Sequence, residues 1–176
     1  MVTRLFFMSL FLFVLGTTAA QTGGEAACPC CEPEYRQFDF WVGDWVAYDL
    51  QKKKALAGYN EIVLLQDSCV LQENWRSGNA AYTGTSYNWY ERQNDQWHQV
   101  WIDNQGGSLQ LSGAFKDGKM MLSSAPMTAD NGKVLINRIT WTPNPDGSVR
   151  QHWELSRDGG ASWQTVFDGL YRRRQE

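Results

Sequence analysis

The chain has 176 residues, with 16 lysines and arginines against 19 aspartates and glutamates, a net charge of −3 and nine tryptophans. A chain of this length supports one hydrophobic core rather than two. Slight acidity, with no basic block longer than three residues such as Arg172-Arg173-Arg174, argues against nucleic acid as a partner.

At the N-terminus Arg4 precedes an apolar run from Leu5 to Leu15, and small residues end at Thr18-Ala19-Ala20. This pattern predicts a cleavable signal peptide over residues 1–20, because spanning a bilayer takes about 20 apolar residues. Nothing later is expected to span a membrane, and cleavage leaves 15 basic against 19 acidic residues. The protein is expected in the periplasm or the medium. A lipid on Cys28 is not expected, since Glu25-Ala26-Ala27 lacks the aliphatic residue such a site carries.

Residues 21–34 form a cysteine-rich segment holding Cys28, Cys30 and Cys31, while Cys69 stands alone in the body. In an oxidising compartment a bridge from the cluster to Cys69 is expected, tethering the segment to the domain. Cys31, the member nearest the folded body, is the expected partner. Cys28-Pro29-Cys30 lacks the second pair or nearby histidine that would make it a metal site, so no metal is expected.

Residues 35–176 form the expected domain. Pro33 opens a short aromatic segment reaching Val42, which reads as a helical turn plugging one end of a barrel. From Trp45 onward, short runs rich in Val, Ile, Thr, Tyr and Trp alternate with turn clusters, predicting strands near 44–50, 58–66, 69–76, 82–91, 96–103, 107–115, 119–124, 134–142, 148–156 and 163–173. Connections this short favour hairpins in an up-and-down meander, and closure removes exposed edges. Asp117-Gly118 and Asp146-Gly147 read as two-residue hairpin turns. A sandwich would need a long crossing loop, for which only Ala125 to Lys133 is available. The expected fold is therefore all-β, an antiparallel barrel of about ten strands.

Gly43-Asp44-Trp45, at the start of the first strand, resembles the G-x-W signature of lipocalins and the wider calycin group. Calycins typically lay a basic side chain from the last strand over that tryptophan, and the resemblance implies Arg173 as the stacking partner of Trp45. The stretch from Tyr35 to Arg173 further resembles exported bacterial lipocalin-like proteins of unassigned function, through Phe38-Asp39-Phe40-Trp41-Val42-Gly43-Asp44-Trp45, Trp101-Ile102-Asp103-Asn104 and Arg138-Ile139-Thr140-Trp141. The resemblance implies a fold and no chemistry. Nitrobindin, a more distant calycin, binds haem through a histidine, but neither His98 nor His152 sits in a matching motif, and no cofactor is expected. Ser156-Arg157-Asp158-Gly159-Gly160-Ala161-Ser162-Trp163 fits the Asp-box of sialidase propellers once only, and reads as a hairpin whose Asp ties down turn amides.

Strand alternation sorts the polar residues by face. One parity collects Glu73, Trp75, Ser86, Asn88, Gln99, Trp101, Asp103, Gln151 and Trp153, and these are expected to line the interior. Arg138, sharing a face with Thr140, is expected to supply a counter-charge for Glu73 or Asp103. Two readings of such an interior stay open: a cup for a largely apolar small molecule, or a filled barrel whose polar groups satisfy one another and whose surface does the work. His98 and His152 read as surface or rim residues, and no nucleophile elbow, metalloprotease motif or phosphate loop is present. The leading expectation is an exported binding protein. Its rival is a small hydrolase or isomerase using Glu73 and Asp103.

Overall fold

Short runs of alternating residues broken by turn chemistry yield eleven strands in the structure, a computed structural model that describes residues 28–129 and 131–175. The signal peptide expected over 1–20 lies outside the described residues. The strands are β1 (Gly43–Asp49), β2 (Ala55–Leu65), β3 (Val70–Ser77), β4 (Thr83–Glu91), β5 (Gln96–Asp103), β6 (Ser108–Lys116), β7 (Lys119–Ser123), β8 (Met127–Thr128), β9 (Val134–Pro143), β10 (Val149–Ser156) and β11 (Gln164–Arg173).

Consecutive strands from β1 to β7 pair antiparallel; β7 then pairs with β9, β9 with β10, β10 with β11, and β11 returns to β1. Ten strands thus close into a barrel, with β8 a two-residue addition to β9. Closure leaves no long free edge among the described residues for another chain to pair with. No helix among the described residues is long and apolar enough to cross a membrane.

Turn chemistry sets the registers. At Asp117-Gly118 both residues take positive φ (52° and 75°), the geometry a two-residue hairpin between paired Lys116 and Lys119 demands. Asp146-Gly147 behaves differently from the two-residue turn expected of it. Val149 pairs with Pro143, leaving five residues in the loop, and only Gly147 is left-handed, at φ 78°. Pro145 fixes a negative φ ahead of it, so the chain makes an ordinary turn closed by Gly147 N–H on the Asn144 carbonyl at 3.0 Å.

One end of the barrel is stopped by aromatic rings. The segment after Pro33 forms two short 3-10 turns, Pro33–Arg36 and Asp39–Trp41, and sends Phe38 and Trp41 fully inside. Phe38 stacks on Trp41 (centroids 5.0 Å apart) and meets Trp97 and Trp141 edge-on at 5.6 and 5.2 Å. Such offset and T-shaped contacts suit the ring quadrupoles. The indole of Trp45 donates to the Trp41 carbonyl at 2.8 Å, tying plug to strand.

Beside the plug, Trp45 and Arg173 are register partners on β1 and β11. The Arg173 guanidinium lies 4.0 Å from the Trp45 ring centroid, and its Nη1 donates to the Val42 carbonyl at 2.6 Å. Gly43 makes this possible, because a Cβ there would sit 1.6 Å from Arg173 Nη1, and its φ of 136° disfavours any larger residue.

All four cysteines are bridged, and the partner expected for Cys69 requires correction. Cys30, not Cys31, bonds Cys69, while Cys28 bonds Cys31. The reason is local: Cys31 N–H bonds the Cys28 carbonyl in a tight turn that holds their Cα atoms 5.4 Å apart, within disulfide reach. Cys30 is left turned inward, 6% exposed, toward Cys69. Peptide mapping without reduction should recover these two pairs; a Cys31–Cys69 peptide would contradict the arrangement.

Candidate functional site

Away from the plug, inward positions change from large apolar rings to polar side chains: Asn60 on β2, Glu73 on β3, Ser86 and Asn88 on β4, and Gln99 on β5, all buried. Their strands are neighbours, so they form one connected network. Asn60 Nδ2 donates to Glu73 Oε1 at 2.8 Å and Ser86 Oγ to Glu73 Oε2 at 2.7 Å. Asn88 Nδ2 donates to Ser86 Oγ at 3.0 Å, and Gln99 Nε2 to Asn88 Oδ1 at 2.7 Å. Asn60 Oδ1 is buried with no hydrogen-bond partner among the described residues. Burial pushes the Glu73 carboxyl up to about 7, against the opposing pull of its bonds from Ser86 and Asn60.

Above this floor the barrel is open. A cavity of about 860 Å³ lies at the end served by the β1–β2, β3–β4 and β5–β6 turns, opposite the plug. Its walls are Trp75, Trp101, Trp153, Phe167, Tyr82 and Tyr171. The rings pave the wall because glycines lie behind them. A Cβ on Gly58 would fall 2.7 Å from the Trp75 ring, one on Gly84 2.1 Å from Trp101, and one on Gly169 2.4 Å from Phe167. At the mouth, Leu56, Met127 and Val166 are exposed apolar side chains.

Most polar wall groups are spoken for. Asp103 Oδ1 accepts the Gln105 and Gly107 backbone N–H groups, each at 2.9 Å, and its Oδ2 accepts the Tyr82 hydroxyl at 3.0 Å. The Gly107 and Gln105 amides hold its carboxyl below the usual range. Trp153 Nε1 donates to Asn137 Oδ1 at 2.8 Å, and the Tyr171 hydroxyl donates to Gln151 Oε1. Burial drives the Tyr171 phenol well above its ordinary range.

Of the residues assigned to the interior by alternation, Glu73, Trp75, Gln99, Trp101, Asp103, Gln151 and Trp153 line the cavity, and Ser86 and Asn88 lie in the network beneath it. Arg138 is a correction. It points outward, bonding Glu154 through Nε and Nη2 at 3.1 and 2.9 Å and covering the Trp163 ring at 3.8 Å. On β9 the buried residues are Asn137, Ile139 and Trp141, so Arg138 and Thr140 share the outer face. Glu73 consequently has no basic partner among the described residues.

His98 and His152 are also outside, the first stacked on Trp89 and 3.0 Å from Glu91, the second 3.0 Å from Thr165 Oγ1. The Asp-box segment forms a turn in which Asp158 accepts Ser162 N–H at 2.8 Å and Ser156 Oγ–H at 2.8 Å. Asn60 and Tyr171 are additions that strand alternation offers once the registers are known: Asn60 opposes Trp45 and Trp75, and Tyr171 opposes Ala47 and Val149. No cluster of three or more histidine, cysteine or acidic side chains with metal-binding geometry occurs among the described residues. No family model matches the chain, and no curated protein matches it.

Proposed function

We propose that this is an exported small-molecule-binding protein of the lipocalin-like kind its motifs resemble, holding a largely apolar ligand in the barrel cup. The observation that carries the reading is the cavity itself, about 860 Å³ of aromatic wall over a polar floor. Ligand sites are typically clefts of roughly 300–1,000 Å³, mostly apolar, with a few converging polar groups. The apolar rim of Leu56, Met127 and Val166 suits the passage of such a ligand. Export is supported by the apolar leader and by two disulfides, which persist in oxidising compartments.

One observation favours the rival hydrolase or isomerase: a buried carboxyl at about 7 is tuned for proton transfer. Asp103, the other carboxylate considered, is engaged through both oxygens in its own loop and by Tyr82, which leaves Glu73 without an acid–base partner.

Titration with N-phenyl-1-naphthylamine, a neutral apolar dye, tests the binding reading. Saturable dye fluorescence with quenching of tryptophan emission is expected. Gly84→Ala should weaken binding by about tenfold or more, since the new methyl group displaces the Trp101 ring into the lumen. Absence of saturable binding up to the dye's solubility would overturn the reading, and small molecules recovered chemically altered would favour the enzyme.

A further inference from the structure

We infer that the cup selects an apolar organic cation, a protonated amine on an aromatic or aliphatic body, which places its ammonium group against Glu73. This rests on the binding reading above and names the class of ligand. Sign of charge is the first ground. The charged side chains lining the cavity are Asp49, Lys52, Glu73 and Asp103. Lys52 is 77% exposed and lies 3.1 Å from Asp49, so its ammonium is spent at the mouth. With Arg138 turned outward, no lysine, arginine or histidine among the described residues reaches the floor. A fatty acid or other anion entering this cup would meet carboxylates and, at the mouth, Lys52 already paired with Asp49.

The second ground is the shape of the acceptor. Each Glu73 oxygen accepts a single bond, from Asn60 or from Ser86, and a carboxylate oxygen has two lone pairs. Asn60 adds the unpartnered Oδ1, on the same amide that binds Glu73. An ammonium group, which only donates, suits the spare lone pairs of Glu73, the member of this pair that lines the cavity. The third ground is the wall. Trp75, Trp101 and Trp153 present indole surfaces around the path to the floor, and indole is the strongest of the side-chain partners for a cation.

Glu73 is bonded by Asn60 from β2 and Ser86 from β4, and shares the cavity with Asp49 from β1, Tyr82 just before β4, Gln99 and Asp103 from β5, and Tyr171 from β11, with Lys52 at the mouth. Both phenols are raised above their ordinary range, chiefly by burial, and stay neutral at pH 8. Asp103 is already ionised well below neutrality. Glu73 is a cavity carboxyl that changes charge near pH 7. A cation binds its ionised form, and the apparent affinity scales with the fraction ionised.

Three isosteres separate the possibilities by calorimetry on the mature, oxidised protein: 1-naphthylmethylamine, charged throughout pH 6–8, neutral 1-naphthylmethanol, and anionic 1-naphthylacetate. At pH 8 the amine should bind about tenfold or more tightly than the alcohol, and the acetate should bind weakest. Amine affinity should fall about tenfold from pH 8 to pH 6, with proton release on binding, while alcohol affinity changes little. Glu73→Gln should abolish the amine's advantage over the alcohol and its pH dependence. If that variant does not fold, the wild-type pH profile and charge ranking decide. Alcohol or acetate binding as tightly as the amine would overturn the inference and leave the binding reading standing. Failure of all three, with failure of the neutral dye, would overturn both.

Discussion

Trp45→Ala is expected to cost about 3–5 kcal/mol of folding stability, the usual range for emptying a buried tryptophan site. The ring is fully buried, its N–H holds the plug carbonyl of Trp41, and its face carries Arg173. Arg173→Ala should cost far less, about 0.5–1 kcal/mol, because the guanidinium itself reaches solvent. The two changes should not add. Each single substitution already forfeits the stacked contact, so the double variant should be less destabilised than the sum of the singles. Urea unfolding of the four proteins measures this, and strict additivity would mean the observed stacking contributes nothing. Gly43→Ala gives an independent check, since its methyl group would occupy the position of Arg173 Nη1 and should mimic Arg173→Ala at the least.

The strands were readable because turn residues punctuate them and alternation runs between the turns. Ten of the eleven correspond to expected runs, most of them bounded by Gly, Asp, Asn or Pro, although Leu50 to Lys54 before β2 holds none of these; β8 escapes because two residues carry no period. The face of the cup on β3, β4, β5 and β10 was also readable, since Glu73, Ser86, Gln99 and Gln151 share parity with large rings that favour the interior. Arg138 shows where this fails. On β9 the run Val134-Leu135-Ile136 is apolar at both parities, so alternation alone does not fix which face is inside, and the demand for a counter-charge to Glu73 pointed to the wrong one. The cysteine pairing failed for a related reason. Nearness in sequence to the domain favoured Cys31, whereas the turn at Pro29 turned Cys31 back to Cys28 and Cys30 toward Cys69.

Glu73, at the floor of the cup, should also cost the fold stability at neutral and alkaline pH. Its carboxyl ionises at about 7 in the fold against 4.5 for the ordinary group, because burial penalises the charge and no cation offsets it. Between those values the folded protein holds a proton that the unfolded chain has lost. Stability therefore falls as pH rises, and the contribution present below 4.5 is lost once pH passes 7. The shift corresponds to about 3 kcal/mol, an order-of-magnitude figure for a fully buried group. Carboxylates held low, such as Asp158 at about 2, contribute in the opposite direction at more acid pH. They cancel when a variant is compared with the wild type at the same pH. Glu73→Gln keeps one acceptor oxygen for Asn60 or Ser86, gives up the other bond, and removes the titration. It should be neutral or slightly destabilising at pH 4 and stabilising by up to about 3 kcal/mol at pH 8, read from urea midpoints at the two values. Parallel pH profiles for the two proteins would mean that Glu73 is not the buried, unpaired acid described. A carboxylate that weakens the barrel yet sits at the centre of a network left with the unpartnered acceptor Asn60 Oδ1 fits the proposed trade of stability for binding.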